Sequence, residues 1–273
     1  LRMRQILGRS HGIVLITGPT GSGKSTTLYG GLMTIFRPGI KILTAEDPIE
    51  YVYDGITQCE VNRKIGNTFA AYIRAFLRQD PEVIMVGEIR DEETAEMAFG
   101  AAQTGHLVLS TLHTNDAISS VSRLLGLGVD RNQITSSLLG VLSQRLVRMV
   151  CPECKEEYIP SEELLREFFR EPPQKLRYFR GQKCSVCNYT GYKGRVAVAQ
   201  LWTPNDNDIL LINKGVSLDE IRRSSYASTT FMLDEAMKLL RDGKTNLDEL
   251  IRALPYRHIY ESRAVSAKAV AQN

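Results

Sequence analysis

A glycine-rich loop with the spacing G-x-x-x-x-G-K-S runs from Gly18 to Ser25. Glycines allow backbone N–H groups to converge on phosphate oxygens at the N-terminus of a helix, where the helix dipole favours anions. Lys24 can reach the β- and γ-phosphates of a nucleoside triphosphate, and the Ser25 hydroxyl can ligate magnesium. The flanking pattern fits this chemistry, because Gly12–Thr17 is predicted to be a buried strand and Lys24–Phe36 a helix.

This loop is therefore predicted to bind ATP with Mg²⁺. A glycine-rich turn without a ligand is the alternative, but the motif, the preceding strand and the following helix together favour nucleotide binding. The residues assigned to the nucleotide are Gly18, Pro19, Thr20, Gly21, Ser22, Gly23, Lys24, Ser25 and Thr26.

Acidic residues follow two further apolar runs. A P-loop ATPase needs a carboxylate near the metal and a group that orients the attacking water. Glu88 ends the run VIMVGE, and Glu46, Asp47 and Glu50 follow the run KILTA. Because ligands of open parallel sheets bind at the carboxyl ends of the strands, we expect Glu88 and at least one of the other acids to face the nucleotide. For each acid, a solvated position at a strand end or turn is the alternative.

Histidine and arginine side chains extend this set. His113 follows a third apolar run, where a neutral imidazole can hydrogen-bond a γ-phosphate; a purely structural histidine is the alternative. Arg74 and Arg78 lie four residues apart in a predicted helix and would share one face. Such a pair can stabilise the charge of a transferring phosphate, in the same subunit or across a subunit boundary. A solvated stripe or a pair of ion-pair partners is an equal alternative for the two arginines.

Four of the five cysteines form two C-x-x-C pairs, Cys151 with Cys154 and Cys184 with Cys187. Two such pairs can supply four thiolates in a tetrahedron, the usual ligand set of a structural zinc site. The gap between the pairs is longer than in most zinc ribbons, but loop-closure entropy rises only slowly with length. A redox pair and a chance occurrence are the alternatives, although neither pair clearly opens a helix as in thioredoxin. Cys59 stands apart and is expected to be an ordinary half-buried thiol.

The composition fits a globular protein, with 273 residues of which 43% are hydrophobic and 24% charged. The net charge of +3 makes no general electrostatic case for nucleic acid as a partner. No apolar run approaches the ~18 residues of a spanning helix, and no signal peptide is recognisable. The odd cysteine count and the nucleotide loop point to the reducing cytoplasm.

Strand-like and helix-like stretches alternate up to about residue 150, which predicts an α/β fold with a parallel sheet covered on both faces. We expect a P-loop core at 1–150 that ends in an amphipathic helix over 136–150, a cysteine module at 151–195 and a helical region at 196–273. The final residues, 262–273, have little to bury and are expected to lack packed structure. The chain starts without Met shortly before the P-loop, so we expect a preceding part to be missing.

Six blocks of sequence closely resemble the secretion-type ATPases, the hexameric motors of type II secretion and type IV pilus assembly. The resemblance runs from about His11 to Leu254, and its blocks are GPTGSGKSTTLY, ILTAEDPIEY, VIMVGEIRDEETAEMA, TGHLVLSTLHTNDA, QRLVRMVCPECK and CSVCNYTGYKGR. It implies a RecA-like ATPase core preceded by an N-terminal domain that this chain lacks. We therefore expect the chain by itself to bind nucleotide poorly and hydrolyse it slowly.

The resemblance also implies roles for individual residues. By position, Glu50 is the glutamate on the γ-phosphate side, and Glu88 is the Walker B glutamate that polarises the attacking water directly or through magnesium. His113 falls in the family's histidine block as a γ-phosphate sensor. Arg74 and Arg78 fall at positions that would meet the nucleotide at subunit boundaries.

Members of this family form hexameric rings, contact an inner-membrane platform and adaptor proteins, and drive subunit addition to a pilus or pseudopilus. Assembly and secretion motors generally carry a four-cysteine module that retraction motors generally lack. The cysteines therefore favour an assembly or secretion motor, cytoplasmic and peripheral at the inner membrane. Two alternatives stay open. A RecA-type nucleic-acid motor is disfavoured by the near-balanced charge and single Trp202. A non-catalytic scaffold would bind nucleotide only to hold its oligomer together.

Overall fold

The computed structural model describes residues 2–173 and 175–255. The strands are β1 (Gly12–Thr17), β2 (Ile42–Glu46), β3 (Thr57–Glu60), β4 (Val83–Val86), β5 (Leu107–Leu112), β6 (Leu138–Val150), β7 (Lys155–Tyr158), β8 (Tyr178–Gly181), β9 (Tyr192–Trp202) and β10 (Thr229–Thr230). The helices are α1 (Arg2–Leu7), α2 (Lys24–Ile35), α3 (Phe69–Phe76), α4 (Glu92–Gln103), α5 (Ser119–Gly126), α6 (Arg131–Ser137), α7 (Glu162–Phe168), α8 (Asp206–Lys214), α9 (Leu218–Ser224), α10 (Met232–Arg241) and α11 (Leu247–Ala253). The expectation for residues 262–273, and for the end of the helical region 196–273, lies outside the described residues.

The chain divides into two compact units. The first comprises Leu1–Ser143 and Gln200–Thr230, and the second comprises Gln144–Ala199 and the chain from Phe231 onward. The divisions lie inside β6 and at the end of β9, two long strands with residues in both units. The bounds of these units differ from those of the predicted segments. The domain organisation into 1–150, 151–195 and 196–273 stays a prediction.

The large sheet has the strand order β10-β9-β6-β1-β5-β4-β2-β3. Its centre is parallel, because β1 pairs in parallel with β5 and β6, β4 with β5, and β2 with β4 and β3. Every residue of β1, β2, β4 and β5 is buried, as expected for strands covered on both faces. The predicted α/β class with a central parallel sheet is confirmed.

Two apolar clusters cover the two faces of this sheet. Successive side chains of a strand point to opposite faces, and β1 shows the alternation directly. Ile13 and Leu15 pack in a cluster with residues of α3, α4, α5 and α6. Val14 and Ile16 pack in a second cluster with α2 residues such as Leu28. The P-loop helix α2 is therefore seated on one face, and the four other helices lie on the opposite face.

The prediction of a helix over 136–150 is wrong, because α6 ends at Ser137 and β6 begins at Leu138. The apolar residues of this stretch fit a helical period, and a short apolar run cannot be assigned from periodicity alone. Pairing of Leu138–Ser143 with β1 gives the backbone its hydrogen bonds and extends the sheet. The helical region also begins later than predicted, because residues 196–202 belong to β9 and the first helix after it is α8.

The second unit has its own core, which includes Val147, Phe168, Val198, Leu240 and Leu250. The strands β7 and β8 form a two-stranded antiparallel sheet. Within the described residues, no helix is both long and apolar enough to cross a membrane.

Candidate active site and metal centre

Four functional segments follow four neighbouring parallel strands at the same edge of the sheet. The P-loop follows β1, Glu50 follows β2, Glu88 follows β4, and His113 follows β5. These strands are adjacent in the order β1-β5-β4-β2, so their carboxyl ends form one continuous edge. This is the edge at which open parallel sheets bind their ligands.

The P-loop has the backbone that an anion cradle needs. Gly21 and Gly23 have φ angles of 74° and 86°, which favour glycine. An added Cβ at Gly21 would meet no atom of the described residues within 4 Å, so the conformation alone requires glycine there. Gly23 is the N-cap of α2, and no side chain among the described residues caps this helix. The N-terminus of a helix is a site where backbone N–H groups bind phosphate oxygens, and the glycine conformations of this loop fit a bound nucleotide.

Lys24 lies across the loop that precedes it. Its Nζ donates to the backbone oxygen of Gly18 at 3.0 Å and to that of Pro19 at 3.2 Å. The ammonium group is thus held above the loop, where a β- or γ-phosphate would replace these carbonyl partners. This position agrees with the role that the motif predicts for the lysine.

Glu50 is the acid of its block that meets the P-loop. The Ser25 hydroxyl donates to Glu50 Oε1 at 3.1 Å. Asp47 instead pairs with Arg63 at 3.8 Å on the exposed side of the loop. Glu46 is buried and accepts hydrogen bonds from Tyr29, Thr44 and Gln58. The contact between Ser25 and Glu50 brings together a predicted magnesium ligand and a predicted catalytic carboxylate.

Glu88 is held between two cationic or potentially cationic side chains. Its Oε2 lies 2.7 Å from an Arg90 guanidinium nitrogen, and its Oε1 lies 3.0 Å from Nε2 of His113. The carboxylate is only 15% exposed, whereas both partners are about half exposed. The hydrogen bond to Glu88 raises the pKa of Arg90, so the guanidinium stays charged.

Backbone bonds beyond the strand ends hold Glu88 and His113 in register. Gly87 N–H donates to Ala45 O at 2.8 Å, and Ile89 N–H donates to Thr111 O at 3.0 Å. The Thr111 hydroxyl donates to Gly87 O at 2.8 Å. These bonds fix the chain on both sides of Glu88 against β2 and β5, so the carboxylate stands on a rigid edge.

An ion pair that the sequence analysis missed anchors the histidine segment. Asp116 accepts from Arg222 at 3.0 Å, and from both the N–H and the hydroxyl of Ser119. The Asp116 and Arg222 side chains are only 15% and 17% exposed. Burial by itself raises the pKa of Asp116, but the Ser119 hydrogen bonds and the Arg222 charge outweigh it and lower the pKa. The two residues are 106 positions apart, so no local signal could have paired them.

The two predicted arginines do not share a helical face in the structure. Helix α3 ends at Phe76, and Arg78 follows its C-cap residue. Arg74 forms an exposed ion pair with Glu93 at 3.3 Å, and Arg78 is exposed. The geometry thus supports the ion-pair alternative for Arg74 within one chain. A role for either residue at the nucleotide of a neighbouring subunit stays a prediction.

The four paired cysteines converge in the second unit. The sulfur atoms of Cys151, Cys154, Cys184 and Cys187 all lie within 4.8 Å of one another. The separations are 4.0 Å for Cys151–Cys184, 3.9 Å for Cys154–Cys187 and 3.8 Å for Cys184–Cys187. Four thiolates at about 2.3 Å from a tetrahedral zinc ion would be about 3.8 Å apart. The donor set and its dimensions therefore fit a metal ion.

The long gap between the cysteine pairs is closed by the small sheet. Cys154 immediately precedes β7, Cys184 follows β8 after two residues, and Lys155 pairs with Gly181. The two knuckles thus meet at one end of an antiparallel strand pair. The Cys187 sulfur also accepts a hydrogen bond from Gly191 N–H at 3.3 Å, which would stabilise a thiolate. Cys59 is half-buried in the first unit, as predicted, and burial raises its pKa.

Known proteins with similar sequences belong to secretion and pilus systems. The chain is 47% identical over 249 residues to the type II secretion system ATPase E of Vibrio cholerae, a match that covers 91% of this chain and 50% of that protein. It is 46% identical over 254 residues to the type IV pilus assembly ATPase PilB of Thermus thermophilus, covering 92% of this chain and 28% of that protein. The chain therefore spans half or less of the length of these relatives.

Solved structures of the same kind share the fold. The pilus retraction motor PilT with bound ADP matches with a TM-score of 0.68 at 31% identity, covering 92% of this chain and 63% of that chain. The ATPase DotB of Legionella pneumophila matches with a TM-score of 0.66 at 26% identity, covering 94% and 62%. The model of the type II/IV secretion system protein family matches residues 1–252. The chain belongs to the type II/IV secretion system protein family.

Proposed function

We propose that the chain is the ATP-hydrolysing part of a motor that powers pseudopilus or pilus assembly in type II secretion or type IV pilus biogenesis. The observation that carries the proposal is the contact of Ser25 with Glu50, because it joins the P-loop to a second strand end. The Glu88–His113 pair at the intervening strand ends completes a continuous polar edge. Membership of the family and similarity to ATPases of both systems support the same activity.

Hydrolysis requires little covalent chemistry from the protein and depends on positioning and charge. The N–H groups of the P-loop and α2 bind the phosphate oxygens, and Lys24 exchanges its carbonyl partners for them. Magnesium, held through the Ser25 hydroxyl, would neutralise charge on the β- and γ-phosphates. Glu88 orients the attacking water, and its two carboxylate oxygens lie close to Arg90 and His113. Glu50 acts on the γ-phosphate side, and His113 reports whether a γ-phosphate is present.

Zinc is the metal that the four cysteines would hold. An all-thiolate tetrahedral set without a further protein donor is typical of structural zinc, not of a catalytic site. The ion would cross-link β7, β8 and the two knuckles, in a unit whose small sheet has only two strands. By the family resemblance, a zinc module would favour an assembly or secretion motor over a retraction motor.

The working form is a hexameric ring in the cytoplasm, bound at the inner membrane through platform and adaptor proteins. Arg74 and Arg78 act at the boundary between neighbouring subunits, where exposed guanidinium groups can reach the adjoining nucleotide. Their exposure in the single chain supports this placement, as does the low energy of an exposed ion pair. Nucleic acid is not a partner, in line with the net charge of +3.

The test is phosphate release by the full-length protein that carries Glu88→Gln. We expect this variant to lose turnover by a factor of about 100 or more while it still binds ATP, because only the orientation of water is removed. Glu96→Gln is the matched control, since Glu96 is an exposed glutamate on α4 that follows the same strand. Wild-type turnover in Glu88→Gln would contradict the proposed role. Tight ATP binding without phosphate release in the wild type would favour the nucleotide-binding scaffold.

A further inference from the structure

Helix α2 contacts the Glu50 segment at a second point besides Ser25. Tyr29 is buried, and its hydroxyl donates to Glu46 Oε2. Ser25 and Tyr29 are four residues apart and therefore lie on the same face of the helix. One face of the P-loop helix thus presents two groups to the segment that follows β2. Ser25 contacts Glu50, the proposed catalytic glutamate of this segment. Tyr29 contacts Glu46, the residue from which the segment starts.

Glu46 is the hub of a hydrogen-bond network at the end of β2. Besides Tyr29, its carboxylate accepts from the Thr44 hydroxyl at 2.5 Å and from Gln58 Nε2 at 2.9 Å. Glu46 is 4% exposed, and a buried carboxylate is stable only when donors such as these surround it. We therefore expect the removal of one donor to disturb the other hydrogen bonds of this carboxylate.

Gln58 carries the network to the backbone just after Glu50. Its Nε2 also donates to Tyr51 O at 2.9 Å, and its Oε1 accepts from Tyr53 N–H at 2.8 Å. The segment 51–53 is thus tied to β3 by the same side chain that contacts Glu46. Gln58 thus links the Glu46 carboxylate to the backbone one residue beyond Glu50.

The Tyr29 ring packs against the same segment. Its centroid lies 5.7 Å from that of Tyr51 in an edge-to-face arrangement and 5.2 Å from that of Tyr53. Burial, and to a smaller extent the hydrogen bond to Glu46, raise the pKa of Tyr29. The hydroxyl therefore remains a proton donor throughout the physiological pH range. The ring and the hydroxyl therefore make separate contributions that a Phe substitution can separate.

We propose that Tyr29 is a positioning residue for catalysis: through Glu46 and Gln58 it holds the 47–56 segment so that Glu50 stays against Ser25. In this role Tyr29 acts through Glu50 and not on the phosphates directly. This inference rests on the proposed ATP hydrolysis, since Glu50 has its role only in that reaction. It adds a residue of α2 whose function is to couple the P-loop to the acidic segment.

The test compares Tyr29→Phe with wild type in the full-length protein. We expect kcat to fall about tenfold or more, while the dissociation constant for a fluorescent ATP analogue changes less than about threefold. Tyr72→Phe is the matched control, because the Tyr72 hydroxyl on α3 also donates a hydrogen bond, in this case to the backbone oxygen of Glu60 at 3.0 Å and not to Glu46. The control should retain wild-type kcat.

A double-mutant cycle separates positioning from a general loss of structure. In a Glu50→Gln background, adding Tyr29→Phe should lower the residual turnover by less than about twofold. The carboxylate that Tyr29 positions is already absent in this background. Amide hydrogen exchange at 51–53 should also become faster in Tyr29→Phe and not in Tyr72→Phe. Independent, additive losses in the cycle would overturn the inference, since they would show that Tyr29 does not act through Glu50.

The two proposals fail in different ways. Normal wild-type turnover together with unchanged kcat in Tyr29→Phe would overturn the positioning role alone. Absence of turnover in the wild-type full-length protein would overturn the proposed hydrolysis and this inference with it.

Discussion

Oε1 of Glu88 lies 3.0 Å from Nε2 of His113, so the ends of β4 and β5 are joined by a side-chain contact directly beside the P-loop strand. The glutamate accepts from Arg90 on its other oxygen. Both oxygens of the carboxylate therefore have a close side-chain partner. If Glu88 orients the attacking water as proposed, His113 would hold that carboxylate in addition to its predicted contact with a γ-phosphate.

Removing the His113 imidazole should slow hydrolysis without abolishing nucleotide binding. We expect His113→Ala to lower kcat about 10- to 100-fold, the usual effect of losing a residue that orients a catalytic group. The measurement is steady-state phosphate release beside equilibrium binding of an ATP analogue. His11→Ala is the control, because His11 is an exposed histidine outside this edge and should leave both quantities unchanged. Equal turnover in the two variants would contradict the orienting role.

The arginine prediction can be tested by mixing subunits. If Arg74 meets the nucleotide of a neighbouring subunit, rings of Arg74→Ala alone and rings of Lys24→Ala alone should both be inactive. Mixed rings should regain activity, because an intact P-loop in one subunit can face an intact Arg74 in the next. The measurement is phosphate release as a function of mixing ratio, with Arg78→Ala tested in the same way.

The control for this experiment is a mixture of Arg74→Ala with a chain that carries both substitutions, in which no complete site can form. The unfolding midpoint of Arg74→Ala should stay close to wild type, because the exposed pair with Glu93 contributes only about 0–1 kcal/mol. A mixed ring that is no more active than its parents would place Arg74 outside the neighbouring site.

The cysteine cluster should contain one zinc ion per chain. Elemental analysis of the purified protein gives the stoichiometry, and a chelator challenge followed by circular dichroism shows whether structure depends on the metal. We expect loss of zinc to unfold the region around β7 and β8, because metal binding and folding are coupled in small thiolate modules. Protein without metal, with its thiols free or oxidised, would remove the argument for an assembly or secretion motor.

Single substitutions sharpen the metal experiment. Cys187→Ser should lower bound zinc well below one equivalent, because it removes one of four ligands. Cys59→Ser is the matched control, since Cys59 is the fifth cysteine and lies in the first unit. Its zinc content should equal that of the wild type, and a comparable loss of zinc in both variants would contradict the assignment of ligands.

The Asp116–Arg222 pair should make stability depend on acid pH. The pKa of folded Asp116 lies below its ordinary value, so the pair contributes fully at any pH above the unfolded pKa of about 4. The contribution is lost as the pH falls from about 4 through the lower pKa of the folded state. We expect Asp116→Asn to cost about 3 kcal/mol at neutral pH, because it leaves a largely buried guanidinium without its main partner.

Urea unfolding midpoints of wild type and Asp116→Asn, measured from pH 7 to pH 3, check this prediction. The difference between them should be constant down to about pH 5 and should shrink below about pH 4. Asp219→Asn is the control, because Asp219 also pairs with Arg222 but is 66% exposed, and its loss should cost at most about 1 kcal/mol. A difference that does not depend on pH would contradict an ionised Asp116 in the pair.

Much of the site could be predicted because its signals are local. The P-loop is a contiguous motif between a strand and a helix. Glu88 follows the apolar strand β4 after one glycine, and His113 directly follows the buried strand β5. The rule that ligands bind at the carboxyl ends of parallel strands then places these residues on one edge. The two C-x-x-C pairs are likewise local, although only the pairing of β7 with β8 shows how the long gap between them closes.

Partnerships between distant positions were decided by the tertiary structure alone. Periodicity could not distinguish the strand β6 from a helix, because the pairing with β1 that stabilises it is contributed by another part of the chain. The same reason applies to the contact of Arg222 with Asp116 and to that of Tyr29 with Glu46. The stabilisation from these contacts comes from burial and complementary donors that only the folded chain brings together. Residue type and local spacing define a phosphate loop and thiolate knuckles, so the groups that could do the chemistry are recognisable without the fold. Which groups hold the catalytic ones in place depends on contacts across the sheet edge, and these exist only once the strands have assembled.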